Sequence, residues 1–244
     1  MDNIAYIQIN NHGRFDMGAT LMVEYLERHH PAVAIVKSTA KHVSRLKPSQ
    51  MPFMAYGDLG FIEQVLQSTG NPNPTYIPDY PDVLKGYLYR KVTEGTLRDL
   101  TLETCPVFVK PRVRQKLFTG FVCHDPFDYR LKPVKNNEPL WLVEPVRFKA
   151  EWRIYVVDGK AAHMVQYEGS DFYRPNLGVV NAMIVKLKQQ NYVMDVGVLD
   201  NGHTALVEIN DGVSVGMYGD VGVEVAGKLI VSRWHELMLE KSHV

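Results

Sequence analysis

Three side chains near the carboxyl end of the chain, Asp195, Glu208 and Asn210, carry oxygen atoms suited to holding a hard cation. Residues 192–199 and 204–209 are rich in Val, Leu and Ile and flank an Asp-Asn-Gly turn, which predicts two adjacent antiparallel strands. Alternate residues of a strand share a face, so Glu208 and Asn210 lie together, and Asp195 can reach them from the neighbouring strand. The spacing predicts a magnesium site. The alternative is a hairpin whose polar face is merely hydrated.

A second group, near the middle of the chain, is basic. Lys110 ends an apolar run, Lys116 lies in the loop that follows, and Thr119 with Gly120 closes that loop before a second apolar run. A lysine at the end of a buried strand needs a partner for its charge, and a glycine beside a hydroxyl lets backbone N–H groups approach phosphate oxygens. We therefore predict two short strands around a polyphosphate-binding loop. A basic hairpin exposed to water is the alternative, and the Walker P-loop pattern is absent.

Between these two groups, an apolar strand runs into Glu144 and Pro145. Proline cannot donate to a strand ladder, so this point is predicted to be a sheet edge or a hinge. The next strand places Glu151 and Arg153 on one face and then turns at an Asp-Gly pair, a strong hairpin signal. A buried ion pair between Glu151 and Arg153 is the alternative to a binding role.

Two further segments are candidates for an acceptor site. Arg174 lies in a polar loop after a predicted strand, where it could clamp a carboxylate, although an exposed surface arginine is the alternative. The glycine-rich stretch 211–219 follows the predicted cation ligands directly, so its backbone could approach a reacting acyl group. A simple connection from strand to helix would account for the same stretch.

The composition bounds the classes of function. The chain has 244 residues, with 45% hydrophobic and 22% charged residues, which is typical of a folded protein with a large core. The 27 basic residues balance the 27 acidic ones, so no overall field draws the chain to nucleic acid or to an anionic membrane. Cys105 and Cys123 give neither a disulfide framework nor a metal-ligand spacing. With no signal peptide and no membrane span in the sequence, we expect a cytoplasmic protein.

The amino-terminal part alternates strand and helix patterns, which predicts a small α/β lobe. The prolines between residues 70 and 81 mark an irregular connection. The predicted elements outside the segments above are a strand over 4–9, a helix over 17–28, a strand over 33–36, a helix over 60–67, a helical stretch over 82–100 and a closing helix over 232–240.

Taken in order, these segments resemble the ATP-grasp superfamily. The seven-residue step from Glu144 to Glu151 and the thirteen-residue step from Asp195 to Glu208 are similar to those in D-alanine:D-alanine ligases. The motifs around residues 56–57, 87–90 and 110–120 look like a small phage and bacterial clade of the superfamily. The resemblance implies a mixed α/β (α+β) ATP-grasp fold with two lobes that clasp ATP. It implies an N-terminal α/β domain over 1–104 and an ATP-grasp domain over 105–244, divided into a smaller lobe 105–143, a linker 144–146 and a C-terminal lobe 147–244.

The resemblance also implies roles for the candidate residues. Magnesium would be held by Asp195, Glu208 and Asn210, and ATP by Lys110, Lys116, Thr119, Gly120, Glu144, Val146 and Glu151, while Arg153, Lys116 and Arg174 would act in catalysis. The implied activity is an ADP-forming ligase that joins a carboxylate to an amine or other nucleophile through an acylphosphate. The alternatives on the same fold are a kinase of a small molecule and a nucleotide-binding interaction module without turnover.

Overall fold

The computed structural model describes residues 2–47, 49, 51–71, 74–112 and 117–240. The chain divides into two compact units, one formed by Met1–Tyr87 with Lys149–Val244 and the other by Leu88–Phe148. Within the described ranges, no helix is both long and apolar enough to cross a membrane.

The first sheet of the larger unit is parallel. Its strands are β1 (Asp2–Gln8), β2 (Ala34–Ser38) and β3 (Pro52–Tyr56) in the order β2-β1-β3, with helices α1 (Met17–His29) and α2 (Leu59–Ser68) between and after them. Both helices begin at an aspartate: Asp16 accepts a hydrogen bond from the Ala19 N–H at 2.6 Å, and Asp58 accepts one from the Phe61 N–H at 2.9 Å. These side chains satisfy donors that the first helical turn leaves open. The predicted α/β alternation is confirmed, and β3 is an additional strand.

The second sheet carries most of the candidate residues. Its strands are β8 (Phe148–Val157), β9 (Lys160–Gly169), β10 (Tyr192–Leu199) and β11 (Thr204–Asp211), in the order β11-β10-β8-β9. All eight residues of β10 are buried, which explains why the sequence there is an unbroken apolar run. Both predicted hairpins are confirmed. The turn between β8 and β9 has positive φ at Asp158 (49°) and Gly159 (69°), as a tight turn with a twist matched to its strands requires.

Two helices complete the larger unit, α3 (Leu177–Ile184) and α4 (Val223–Glu240). Helix α4 begins well before residue 232, where the sequence predicted it, and packs against α1 and β3. The Trp234 side chain is fully buried and donates its indole N–H to the Pro52 carbonyl at 3.2 Å. Gly227 allows close approach to α1, since a β-carbon there would lie 2.0 Å from the ring of Tyr25.

A buried arginine ties α4 to the end of β11. Arg233 is fully buried and donates to both carboxylate oxygens of Asp211, at 3.0 and 2.8 Å, as well as to Glu236 and to the Thr75 carbonyl. Asp211 also accepts the Ile77 N–H at 3.0 Å. A buried guanidinium is tolerated where its donors meet charged and backbone oxygens, and here those partners fix three separate segments together.

The smaller unit is a four-stranded antiparallel sheet. Its strands are β4 (Val92–Thr96), β5 (Val107–Pro111), β6 (Phe121–Cys123) and β7 (Pro139–Val143), in the order β4-β7-β5-β6. The prediction that two short strands bracket the basic loop is confirmed, because β5 pairs with β6. One face of the sheet covers a small core formed by Leu100, Val107, Val109, Cys123, Leu131, Val134 and Leu140.

The helical stretch predicted over 82–100 is wrong. Short 3-10 helices occupy Asp82–Tyr87 and Leu97–Asp99, and strand β4 lies between them. The β-branched residues Val92, Thr93 and Thr96 favour an extended chain, and β7 supplies the ladder with which they pair. Gly95 further weakens a helix and allows the Leu142 side chain to lie against the strand.

Candidate functional site

The three predicted cation ligands lie together on the β10–β11 hairpin. Asp195 is directly opposite Glu208 in the strand register, and Asn210 is the diagonal neighbour of Asp195. The amide nitrogen of Asn210 donates to Asp195 Oδ2 and to Glu208 Oε1, both at 3.1 Å. The structure therefore brings two carboxylates and an amide into one hydrogen-bonded group.

Arg153, on β8, is paired with Asp195. Its Nε donates to Oδ1 at 2.9 Å and its Nη2 to Oδ2 at 2.7 Å, while Nη1 donates to the Gly216 carbonyl at 2.9 Å. Arg153 is 5% exposed and Asp195 2%. Burial opposes the charged guanidinium, but the hydrogen bonds and charge of Asp195 outweigh it and raise the pKa of Arg153. The sequence had offered Glu151 as the ion-pair partner of Arg153; the structure assigns Asp195.

Two tyrosine rings lie against this guanidinium. The centroid of the Tyr218 ring is 4.0 Å from the guanidinium carbon, and that of Tyr167 is 6.0 Å away. Tyr155, two residues after Arg153 on β8, accepts the Tyr218 N–H on its hydroxyl at 2.7 Å. The glycine-rich stretch after the hairpin is therefore attached to β8 through both Arg153 and Tyr155. None of these tyrosines was among the predicted site residues.

Glu151 lies on the same face of β8 and accepts a hydrogen bond from the Tyr167 hydroxyl at 2.7 Å. Burial is the main cause that raises the pKa of Glu151, and the nearby charges of Asp195 and Glu208 act in the same direction, while the Tyr167 hydrogen bond opposes them. Burial also raises the pKa of Tyr167, which therefore remains a donor at neutral pH. Three carboxylates on this face exceed the single charge of Arg153, so the local field favours a cation.

The donor set fits a magnesium ion in its chemistry. Among the residues that the structure describes, no group of three or more His, Cys, Asp or Glu side chains is arranged to hold a metal, but the predicted set has only two carboxylates, with an amide as the third member. Each carboxylate oxygen can accept two contacts, so the pairing with Arg153 leaves room on Asp195. Asn210 would present Oδ1 in place of the nitrogen that now faces the carboxylates. Such an all-oxygen set is the kind that magnesium prefers.

In the smaller unit, Lys110 lies on β5 opposite Trp141 of β7 and is half-buried. Gly120 lies beside it, since a β-carbon there would be 3.1 Å from the Lys110 β-carbon and 2.6 Å from the Phe108 ring. Thr119 is exposed next to this glycine. The backbone around Gly120 is therefore open to a ligand on the side where a side chain would otherwise project.

Other residues of the predicted basic loop behave differently. Arg112 forms an ion pair with Glu94 and lies 5.8 Å from the Trp141 ring, so its charge has partners within the unit. Lys116, predicted to contact phosphate, lies outside the described residues.

Glu144 and Val146, the predicted linker residues, lie between β7 and β8. Glu144 exchanges two hydrogen bonds with Lys91: its carboxylate accepts the Lys91 N–H at 2.9 Å, and its own N–H donates to the Lys91 carbonyl at 2.8 Å. These bonds extend the β4–β7 pairing by one residue. The side chain of Glu144 thus holds backbone, and Val146 is half-buried in the irregular segment that follows.

Arg174 does not join the acidic group. Its guanidinium lies 5.5 Å from the ring of Trp152, and the Trp152 indole donates to the Tyr173 carbonyl at 2.9 Å. Trp152 alternates with Glu151 and Arg153 along β8, so its side chain lies on the opposite face of the sheet. The observed contacts of Arg174 are therefore on the face away from Asp195.

Comparison with known proteins shows the family. Residues 87–226, more than half of the chain, match the sequence profile of an ATP-grasp domain, the second family of its clade. The chain belongs to the ATP-grasp superfamily. No curated protein sequence matches this ATP-grasp chain significantly.

Solved structures agree on the fold. The RimK domain ATP-grasp protein of Sphaerobacter thermophilus DSM 20745 aligns with a TM-score of 0.60 at 16% identity, over 95% of this chain and 99% of that one. D-alanine–D-alanine ligase of Bacillus anthracis, complexed with ATP, aligns with a TM-score of 0.57 at 15% identity, over 98% of each chain. N5-carboxyaminoimidazole synthase of Aspergillus clavatus gives 0.56 at 12%, over 94% and 76%. At these identities the likeness establishes the fold, and the predicted ATP-grasp fold is confirmed.

Proposed function

We propose that this ATP-grasp protein is an ATP- and magnesium-dependent ligase that joins a carboxylate to an amine or another nucleophile. The observation that carries the proposal is the contact among Asp195, Glu208 and Asn210 on one face of the β10–β11 hairpin. Carboxylates are costly to bury, and a hairpin needs none of them for its own stability. Their grouping in an ATP-grasp chain supports a magnesium–nucleotide site.

Asp195, Glu208 and Asn210 would hold the magnesium ion, which when bound neutralises charge on the triphosphate. Arg153 has a positioning role, because its bidentate contact fixes the orientation of the Asp195 carboxylate. A guanidinium carries five N–H donors, and the contacts with Asp195 and Gly216 use three of them. We propose that the remaining donors contact the phosphoryl group as it is transferred.

In the smaller unit, we propose that Lys110 and the backbone of Thr119 and Gly120 contact ATP phosphates, and the same role is proposed for Lys116. Lysine suits this role as a compact point charge, and glycine leaves the backbone N–H accessible. For Glu144 and Val146, the proposed contact is between backbone and adenine. The Glu144 carboxylate is already used to hold Lys91, which supports a backbone contact there.

Glu151 is the proposed ligand of the ribose hydroxyls, oriented by the hydrogen bond from Tyr167. An oriented carboxylate accepts from a hydroxyl without further ordering of its side chain, which reduces the entropic cost of binding. The role of Arg174 as a clamp for the acid substrate stays a prediction, with its observed contacts on the other face of β8.

The reaction would proceed in two displacements. A carboxylate oxygen attacks the γ-phosphorus, the bond from that phosphorus to the β–γ bridging oxygen breaks, and ADP leaves. The amine then attacks the acyl carbon, inorganic phosphate leaves, and the amine loses a proton. Phosphoryl transfer requires mainly positioning and charge neutralisation from the protein, and these are what Arg153 and Lys110 can supply.

The deciding experiment compares thermal unfolding of the protein with and without magnesium and ATP. A ligand at a hundredfold excess over its dissociation constant stabilises the native state by about 2.7 kcal/mol. We expect a magnesium-dependent rise in the unfolding midpoint that Glu208→Ala loses and that Glu103→Ala, a change at an exposed glutamate of the smaller unit, retains. No rise in the unmodified protein, or an equal rise in Glu208→Ala, would contradict the proposal.

The ligase reaction has its own test. ADP and phosphate should be released only when both an acid and an amine are present, because the acylphosphate needs the second nucleophile to turn over. Release of ADP with a stable phosphorylated acceptor, measured by phosphorus NMR, would instead indicate a kinase.

A further inference from the structure

The two cysteines of the chain meet in the smaller unit. Val107 of β5 is paired with Cys123 of β6, and Cys105 lies two residues before Val107, at the entry to β5. The Cys105 and Cys123 side chains are close enough to hydrogen-bond, and both belong to the same apolar cluster. Their separation along the sequence carries no signal of this contact, which the β5–β6 pairing creates.

The two thiols differ in their surroundings. Cys123 is fully buried, and its Sγ lies 3.1 Å from the Asp125 carbonyl oxygen, to which it can donate. Burial, together with the adjacent Cys105, raises the pKa of Cys123 to about 11. Cys105 is half-buried, so a small reagent reaches it first. One thiol is therefore accessible and the other is held beside it, protected from solvent.

We propose that Cys105 and Cys123 form a modification site, at which a low-molecular-weight disulfide such as oxidised glutathione converts the thiol pair reversibly into an intramolecular disulfide. The Cys105 thiolate attacks one sulfur of the reagent, the reagent's S–S bond breaks, and the first glutathione thiol leaves. The Cys123 sulfur then gives up its proton and attacks the Cys105 sulfur, and the second glutathione thiol leaves. The two hydrogens and two electrons lost by the cysteines are those gained by the reagent.

Geometry favours the second displacement over a lasting mixed disulfide. The attacking sulfur of Cys123 is already in contact with Cys105, so ring closure needs side-chain rotation and no transfer of chain. The bond would close the segment from 105 to 123, which contains β5 and β6. Lys110, Thr119 and Gly120 lie inside that segment, so an effect on phosphate binding would follow; that consequence rests on the proposed function, whereas the bond itself does not.

The test treats the full chain with oxidised glutathione, alkylates remaining thiols with N-ethylmaleimide and measures the intact mass. We expect a monomer lighter by two hydrogen atoms, without adducts, and restored by dithiothreitol. Cys123→Ser should stop at the first step and keep one glutathione on Cys105. Cys105→Ser should remain unmodified, because the buried Cys123 is out of reach of the reagent.

Two outcomes would overturn the proposal. One is a stable glutathione adduct as the end product in the unmodified sequence, and the other is full alkylation of both thiols after oxidant treatment. Because serine at the buried position 123 could disturb the core, Cys123→Ala is measured in parallel, with circular dichroism as the check on folding. If Cys123→Ala folds and still fails to retain the adduct at Cys105, the assignment of Cys105 as the attacking thiol is wrong. Since ATP and magnesium are absent throughout, failure here is independent of failure of the proposed ligase activity.

Discussion

Arg153 and Asp195 form a bidentate ion pair between adjacent strands β8 and β10, with both side chains almost fully buried. Each carboxylate oxygen receives one N–H, at 2.9 and 2.7 Å. A buried ion pair adds little net stability over well-packed apolar residues, whereas a buried charge left without its partner is strongly destabilising. The pair therefore serves orientation more than stability, since it fixes the carboxylate that the proposed site requires.

The first prediction separates these two contributions. Arg153→Met leaves Asp195 buried without its counter-charge and should reduce the free energy of unfolding by about 3–5 kcal/mol. The double variant Arg153→Met with Asp195→Leu should recover most of that loss, because both charges are gone. Urea unfolding without metal or nucleotide measures both variants. A single variant as stable as the unmodified protein would show that Asp195 has another compensating partner.

A second prediction concerns the attachment of the glycine-rich stretch to β8. Tyr155→Phe removes the hydroxyl that accepts the Tyr218 N–H and should cost about 1–3 kcal/mol. Hydrogen exchange at the Tyr218 amide should become faster, while exchange along β10 should stay slow. Tyr192→Phe is the matched control, because among the described residues the buried Tyr192 hydroxyl has no hydrogen-bond partner, and its loss should be nearly neutral. Equal effects of the two variants would argue against the Tyr155–Tyr218 contact.

A third prediction is a loss of stability in mild acid. His30 and His235 flank the Phe53 ring at 4.6 and 5.4 Å between centroids, and burial is the main cause that lowers the pKa of both below the ordinary 6.5. The unfolded chain therefore binds protons that the folded chain does not. Stability is present above pH 6.5 and is lost as the pH falls through the lowered values.

The variant that tests this is His235→Gln, which keeps a donor for the Phe53 carbonyl, the observed partner of the His235 ring at 3.0 Å, but cannot take up a proton. Unfolding midpoints between pH 7 and pH 5, spanning the ordinary histidine range, should fall less steeply in His235→Gln than in the unmodified protein. His124→Gln, at an exposed histidine, should leave the slope unchanged. Parallel slopes in all three proteins would exclude His235 as the titrating group.

How far the sequence alone reaches is shown by the contrast between two hairpins. The β10–β11 hairpin was predictable because its turn residues and apolar pattern act locally, and alternation then placed Glu208 and Asn210 on one face. The β8–β9 hairpin was predictable as an element, but not in the contact it makes between Tyr167 and Glu151. Two register shifts lie between its turn and that pair, and each shift exchanges the faces of the residues beyond it.

Non-local contacts account for most of what the sequence did not reveal. Residues 82–100 were assigned to a helix because their partner, β7, lies far along the chain and only the assembled sheet shows that β4 is extended. The Cys105–Cys123 contact likewise depends on the β5–β6 pairing. Arg153 was expected to face Glu151 on its own strand, yet Asp195 on the adjacent strand offers both oxygens in a plane that matches the guanidinium.

The last prediction tests the phosphate role of Lys110. Lys110→Ala should raise the dissociation constant for ATP about ten- to hundredfold, since a charged hydrogen bond is worth roughly 1.5–3 kcal/mol. Lys132→Ala is the matched control, because this lysine is exposed in the same unit and carries the same charge. Isothermal titration with ATP and magnesium measures both, and repetition in high salt separates a specific contact from general attraction, which salt screens. If the two variants lose affinity equally, the lysines contribute only net charge and the phosphate-binding residues must lie elsewhere in the chain.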